Sequence, residues 1–118
     1  MQPRKPRLEM QAFPDGLCIV SERRNLAAKG KKPDWQPVIK HRLRFKERAI
    51  SMNRRKTYLQ YDMRIDRLIR CRRQRDMSTN YTVSIGEKHY HIQNVDYPVG
   101  VMPPVMDLAL ERMEQDDA

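Results

Sequence analysis

Glycine is scarce, four in 118 residues and dispersed. Loops that cradle phosphate need several within a few positions, so the P-loop and dinucleotide-binding motifs are excluded. Cysteine is scarcer. Cys18 and Cys71 lie far apart, in no metal-binding spacing, and in a chain without an export signal they are expected reduced and buried. No stretch approaches the roughly 20 apolar residues of a membrane-spanning helix. The opening "MQPRKPRLEM" is basic and no apolar run follows it, so residues 1–11 are expected to be a disordered arm and not a secretion signal. Apolar residues make up only 39% of the chain against 33% charged, which leaves material for one small core. A single domain over residues 12–113 is expected, with 114–118 as an acidic tail, and a core this thin is a candidate for completion by neighbouring subunits.

Catalytic groupings are lacking as well. His89 and His91 would share a strand face, but a zinc site needs three or four convergent ligands, so they are expected to be surface histidines. Serine, cysteine and histidine stand in no nucleophile spacing. Neither an enzyme nor a cofactor is expected. Trp35, between Pro33 and Pro37, is expected to pack, and the eight methionines to fill gaps in the core.

What the chain has is positive charge, unevenly spread. The net charge is +9. Residues 1–60 hold 16 basic and 5 acidic side chains, whereas 61–118 hold 8 and 10. Residues 40–75 alone hold 14 basic against 3 acidic, including the arginine-rich stretch "RLIRCRRQR" at 67–75. Such a concentration attracts a polyanion or an acidic protein surface.

Turn signals divide the chain into short segments. "FPDG" at 13–16 is a turn and "LCIV" at 17–20 a strand. Residues 23–34, with Gly30, Pro33 and many charges, read as a loop with a helical turn over 26–28. In "WQPVIKHRLRFKERAI" the cations Lys40, Arg42, Arg44 and Lys46 alternate at period two, the signature of a strand with one wet face. The opposite row of Ile39, Leu43 and Phe45 is interrupted by His41. Ser51 suits a helix N-cap. Beyond it the spacing admits one helix over 52–73, or a helix over 51–61 followed by a strand from about 64 to 74 whose inner face Arg67 interrupts. "YTVSIGEKHYHI" is a hairpin turning at Gly86, with Tyr81, Val83, Ile85, Tyr90 and Ile92 inward. "YPVGVMPP" at 97–104 reads as a loop. "VMDLALERME" alternates again, with Met106, Leu108 and Leu110 on one side. A small antiparallel barrel or sandwich accommodates these segments.

The order of these pieces resembles the head–tail joining (head-closure, or stopper) proteins of tailed bacteriophages. The resemblance is carried by "FPDGLCIVSER", by the strand and helix of "WQPVIKHRLRFKERAISMNRRKTYLQYD", by "IDRLIRCRR" with the hairpin bearing Gly86, Tyr90, Ile92 and Val95, and by the closing "PPVMDLALERM". It implies a mainly β fold, a small antiparallel β-barrel with one external α-helix over about 51–61 and a long loop over 22–36. It also implies a ring, hexamer or dodecamer, in the virion neck, assembled in the host cytoplasm. Its partners would be a portal-bound adaptor, a tail terminator or other tail protein, and genomic DNA in the channel, with no membrane. Lys29, Lys31 and Lys32 would face the channel and its DNA. Arg54, Arg55, Tyr58, Arg70, Arg72 and Arg73 would contact the adaptor or neighbouring subunits. Two other classes stand beside it: a free nucleic-acid-binding protein using residues 40–75, and a small regulatory RNA-binding protein with one long helix over 52–73.

Overall fold

Turn chemistry and period-two alternation divide the chain into eight strands and one helix in the computed structural model, which describes residues 9–114. The order is β1 (Glu9–Met10), β2 (Gly16–Asn25), β3 (Trp35–Arg48), α1 (Met52–Gln60), β4 (Arg67–Arg72), β5 (Thr82–Ile85), β6 (Lys88–Asp96), β7 (Val101–Met102) and β8 (Val105–Arg112). Six strands close into an antiparallel barrel in the order β2-β3-β4-β8-β6-β5, with β5 returning to β2. β1 and β7 form a separate parallel pair. The mainly β barrel with one external helix is therefore the fold.

Local chemistry sets the joints. Asp15 fastens the start of β2 to the end of β3: its amide donates to the Phe45 carbonyl at 2.9 Å and its carboxylate accepts from the Glu47 amide at 2.7 Å. Gly16 next to it has φ +138°, and a Cβ there would sit 3.2 Å from the Phe45 ring. Ser51 caps α1, its hydroxyl accepting from the Arg54 amide at 3.2 Å. The helix ends in a Schellman motif. Asp62 takes the left-handed conformation (φ +55°), the Met63 amide bonds the Tyr58 carbonyl at 2.8 Å, and the Asp62 amide bonds Leu59 at 3.1 Å. That stop separates α1 from β4 and excludes the single long helix over 52–73.

The barrel interior is filled by Cys18, Val20, Phe45, Ile69, Cys71, Val83, Tyr90, Ile92, Met106, Leu108 and Leu110. The cysteines are free and buried, as expected, with their sulfurs 3.8 Å apart. The hydrogen bond with Cys18, and then burial, push the Cys71 thiol well above the ordinary thiol range, while the same bond lowers that of Cys18. Arg67, which broke the inner row of β4 in the sequence, does point inward. It lies at the barrel mouth, bonded to Glu47 and to the Tyr90 hydroxyl, with its guanidinium 5.3 Å from the Phe45 ring centroid. β8 is buried on both faces. Its outer residue Ala109 packs with Leu68 beneath Tyr58 of α1.

A buried ion pair completes that outer layer. Arg70 of β4 and Asp107 of β8 face each other in register, and the guanidinium grips the carboxylate through two bonds of 2.7 and 3.1 Å. Arg70 also donates to the Gln11 side chain at 3.2 Å, and Arg54 of α1 approaches Asp107 at 3.7 Å. The Gln11 amide donates to the Met102 carbonyl at 2.9 Å, following the β1–β7 pairing. Residues 9–11, expected within a disordered arm, are instead paired along the edge of β7. Residues 1–8 and the tail from 115 onward lie outside the described residues.

Removing one partner of the buried pair breaks two charge-assisted bonds at a site with almost no water. Asp107→Ala is expected to cost about 3–5 kcal/mol in urea unfolding, as much as a cavity from Leu108→Ala at about 2–5 kcal/mol. Arg72→Ala, on the same strand but exposed, should change stability by less than about 0.5 kcal/mol. Equal, small costs for Asp107→Ala and Arg72→Ala would refute the buried-pair account.

Candidate functional site: a lysine-tipped ribbon and its apolar face

The seams on either side of the β2–β3 pair are short. β5 pairs with β2 only at Ile19–Ser21, and β4 pairs with β3 only at Phe45–Arg48. β2 and β3 themselves stay paired from Gly16↔Phe45 out to Asn25↔Trp35. Residues 22–25 and 35–38 therefore leave the barrel as a two-stranded ribbon that, among the described residues, pairs with no third strand. The expected loop over 22–36 is shorter than that: strand continues at both ends, and the connection is residues 26–34. The helical turn expected over 26–28 does not form. Instead Asn25 organises the tip, its side-chain oxygen accepting from the Ala27 amide at 3.0 Å and the Asp34 amide at 2.9 Å. Lys29, Lys31 and Lys32 are all exposed on this tip, around Gly30 with its φ of +81°.

A β-bulge bends the ribbon where it joins the barrel. Val20 pairs with His41 but Ser21 pairs with Ile39, so Lys40 is the extra residue. This corrects the expected row of four alternating cations. Arg42 and Arg44 stay on the outer wall and exposed, while Lys40 turns to an ion pair with Asp76 at 3.0 Å. Asp76 belongs to the loop between β4 and β5. Its carboxylate also accepts from the Tyr81 hydroxyl at 2.7 Å, and its carbonyl accepts from His41 Nε2 at 3.0 Å.

Register assigns the faces of the ribbon. Ser21 and Ile39, Arg23 and Pro37, and Asn25 and Trp35 share one side, which continues across the bulge as Ile19 beside Arg42 and Leu17 beside Arg44. Trp35 is 55% exposed, Leu17 51% and Ile39 46%. An apolar stripe flanked by arginines thus runs from the ribbon onto the barrel wall. It borders a groove of about 650 Å³ lined by Ile19, Pro37, Ile39, Thr82 and Met113 among others. Trp35 was expected to pack; within this chain it does not, because the ribbon carries it beyond the core. Its alternation with Pro37 and Ile39 was the visible signal of that stripe.

The residues expected at adaptor or subunit contacts divide. Arg55 and Arg72 are exposed. Arg54 is partly covered and faces Asp96 and Asp107, each at 3.7 Å. Tyr58 and Arg70 are buried in the packing of α1 on the barrel, 7% and 4% exposed, so neither is free for a neighbour. Arg73 donates to the carbonyls of Val105 and Pro98 and lies 4.9 Å from the Tyr97 ring centroid, which commits it to its own loops. On the outer side of α1 the large exposed side chains are instead Met52, Leu59 and Tyr61. His89 and His91 are exposed on β6, and among the described residues no group of acidic, cysteine or histidine side chains has metal-binding geometry. No protein-family model matches the chain, and no curated protein matches it in sequence.

Trp35 is the chain's one tryptophan, so its emission reports on the ribbon alone. The isolated chain is expected to emit at long wavelength and to be readily quenched by acrylamide. Trp35→Ala should leave the urea midpoint nearly unchanged, against about 3–5 kcal/mol for a core tryptophan. A blue-shifted, protected emission from the monomer would contradict the exposed stripe.

Proposed function

We propose that this chain is a ring-forming neck protein of a tailed-phage particle, of the head-closure or stopper kind, which seals the DNA-filled head and lets DNA pass on ejection. The observation that carries this reading is the ribbon: a compact barrel projects a two-stranded arm whose tip gathers Lys29, Lys31 and Lys32 away from the body. A single copy of such an arm is a weak binder. Repeated about a ring axis, the same three cations become a continuous positive belt. A belt of that kind neutralises phosphates without reading bases, which suits a channel through which any sequence must move.

The rest of the surface fits assembly. The unpaired edges of the ribbon and the stripe of Trp35, Ile39 and Leu17 are surfaces that a lone subunit leaves wet and that copies in a ring would cover. The outer face of α1, with Arg55, Lys56, Met52, Leu59 and Tyr61, suits a portal-bound adaptor, and the opposite end of the ring would meet a tail terminator or other tail protein. The chain would act without a cofactor and without a reaction, in the virion neck after assembly in the host cytoplasm. No described helix is long and apolar enough to cross a membrane.

The alternative, a free nucleic-acid-binding protein using residues 40–75, needs those cations on one surface. Arg67 points into the barrel mouth, Arg70 lies under α1 and Lys40 is tied to Asp76. The remaining cations are spread over the outer wall of β3, α1, the end of β4 and the loops on either side of β4, which weakens that alternative.

Replacing residues 26–34 by Asn-Gly closes the ribbon with a two-residue hairpin turn while keeping the barrel. Particles assembled with this variant are expected to carry complete necks by electron microscopy and to leak DNA from filled heads. Heads that stay sealed would rule out the tip as the closure. A purified wild-type chain that ignores portal–adaptor complexes and binds duplex DNA alone, with a steep salt dependence, would overturn the neck reading itself.

A further inference from the structure

Among the described residues the ribbon pairs with the barrel strands no further out than its base, so the contacts there are placed to fix its direction. We propose that the bulge at Lys40 is the hinge of the ribbon and that Asp76 is the latch holding it against the barrel. The inference stands on the geometry of the base and holds whether or not the chain belongs to a phage neck.

Four observations converge on that point. First, the bulge leaves Lys40 outside the ladder at the residue where β2 loses its second neighbour, Ser21 being the last residue paired with β5. An unpaired residue in an antiparallel pair is where a strand bends most readily. Second, Lys40 reaches in both directions. Its ammonium lies 3.7 Å from Glu22, in the ribbon, and 3.0 Å from Asp76, on the barrel side. Third, the loop carrying Asp76 is itself fixed to the barrel. Met77 packs against the core, and Arg73, at the start of the loop, bonds the carbonyl of Pro104 through its amide at 2.9 Å. Fourth, Asp76 draws several donors together: Tyr81 on one carboxylate oxygen, Lys40 on the other, and His41 on its carbonyl, while Lys40 also lies 5.9 Å from the Tyr81 ring centroid.

The latch is built to release. The Asp76 side chain is 54% exposed, so water competes for its bonds, and a contact of this kind holds an orientation without locking it. The groups around it are Glu22 and Arg24 from β2, Lys40 and His41 from β3, and Tyr81 from the loop. The Tyr81 hydroxyl first, then the Lys40 ammonium, hold the Asp76 carboxyl below its ordinary range. Its folded value is therefore depressed. The latch is complete above the ordinary carboxyl range and is lost as pH falls through the lower folded-state value.

Distance distributions between spin labels at Lys31→Cys on the tip and Glu87→Cys on the β5–β6 turn test this directly. Cys18 and Cys71, both fully buried, do not compete for the label. With Asp76 intact at neutral pH the distribution is expected to be narrow. Asp76→Asn should broaden it about twofold, with the urea midpoint nearly unchanged, as for a hinge released without unfolding. Lys40→Gln and Tyr81→Phe should each broaden it less. Acidification should broaden the wild-type distribution and leave that of Asp76→Asn as it was, whereas Glu22→Gln should keep the wild-type pH response. Equal widths for wild type and Asp76→Asn would overturn the latch, and so would a broadening that appears only where the barrel unfolds.

Discussion

The two-sided burial of β8 is the constraint on which the rest of the molecule depends. In a small barrel most strands have one wet face, and here β8 has none along Val105–Leu110. Its inner residues Met106, Leu108 and Leu110 fill the interior, while its outer residues Asp107 and Ala109 are covered by α1 and its flanks. With 39% apolar residues the chain cannot cover an outer layer with hydrocarbon alone. The Arg70–Asp107 pair occupies that place instead, and its two bonds keep the cost of burying charge within bounds. The position of the helix follows. α1 lies where Leu68, Ala109 and the ion pair need cover, and Tyr58 and Arg54 are the side chains that supply it.

A body organised around β8 leaves the opposite side of the barrel lightly held. Three residue pairs join β2 to β5 and four join β3 to β4, so the β2–β3 pair is free to run on past both neighbours. An exposed ribbon with open edges invites edge-to-edge association. The sequence answers with Arg23, Arg24, Pro33 and Pro37, together with the lysines at the tip, all features that discourage uncontrolled strand addition. The same ribbon nevertheless keeps Trp35 and Ile39 exposed on one face. Protection of the edges combined with an apolar face favours a specific partner over indiscriminate pairing.

Much of this was legible in the sequence. Alternation in β5 and β6, and in β8, followed the barrel closely because period-two patterning reports directly on which face is wet, whereas in β3 it held only on the barrel side of the bulge at Lys40. The helix ended where the sequence was ambiguous, because the stop depends on Asp62 adopting a conformation in which glycine is usual, and composition carries little trace of that. The arginines were the least legible. Five stand within residues 67–75, and as charges they look alike. Tertiary structure sends Arg67 inward to an aromatic mouth, Arg70 to a buried carboxylate 37 residues away and Arg73 to carbonyls of two loops, leaving Arg72 and Arg75 exposed. Which cation finds an internal partner is a long-range property that local pattern does not encode.

That sorting changes what the net charge of +9 means. The densest basic segment of the sequence is not the densest basic surface of the fold. Pairing inside the barrel, beneath the helix and at the ribbon base removes several of its cations from any external partner. The tip lysines are exposed, and among the described residues no ion pair ties them to an acidic side chain. A polyanion would therefore meet the end of a projecting arm before it met the barrel. Contact at the end of an arm is weak and adjustable for one subunit and becomes strong only through repetition. On the neck reading, that is the useful combination: DNA is held when every arm of a ring presents its lysines together, and it is released when the arms turn away, with no change required in the barrel that builds the ring.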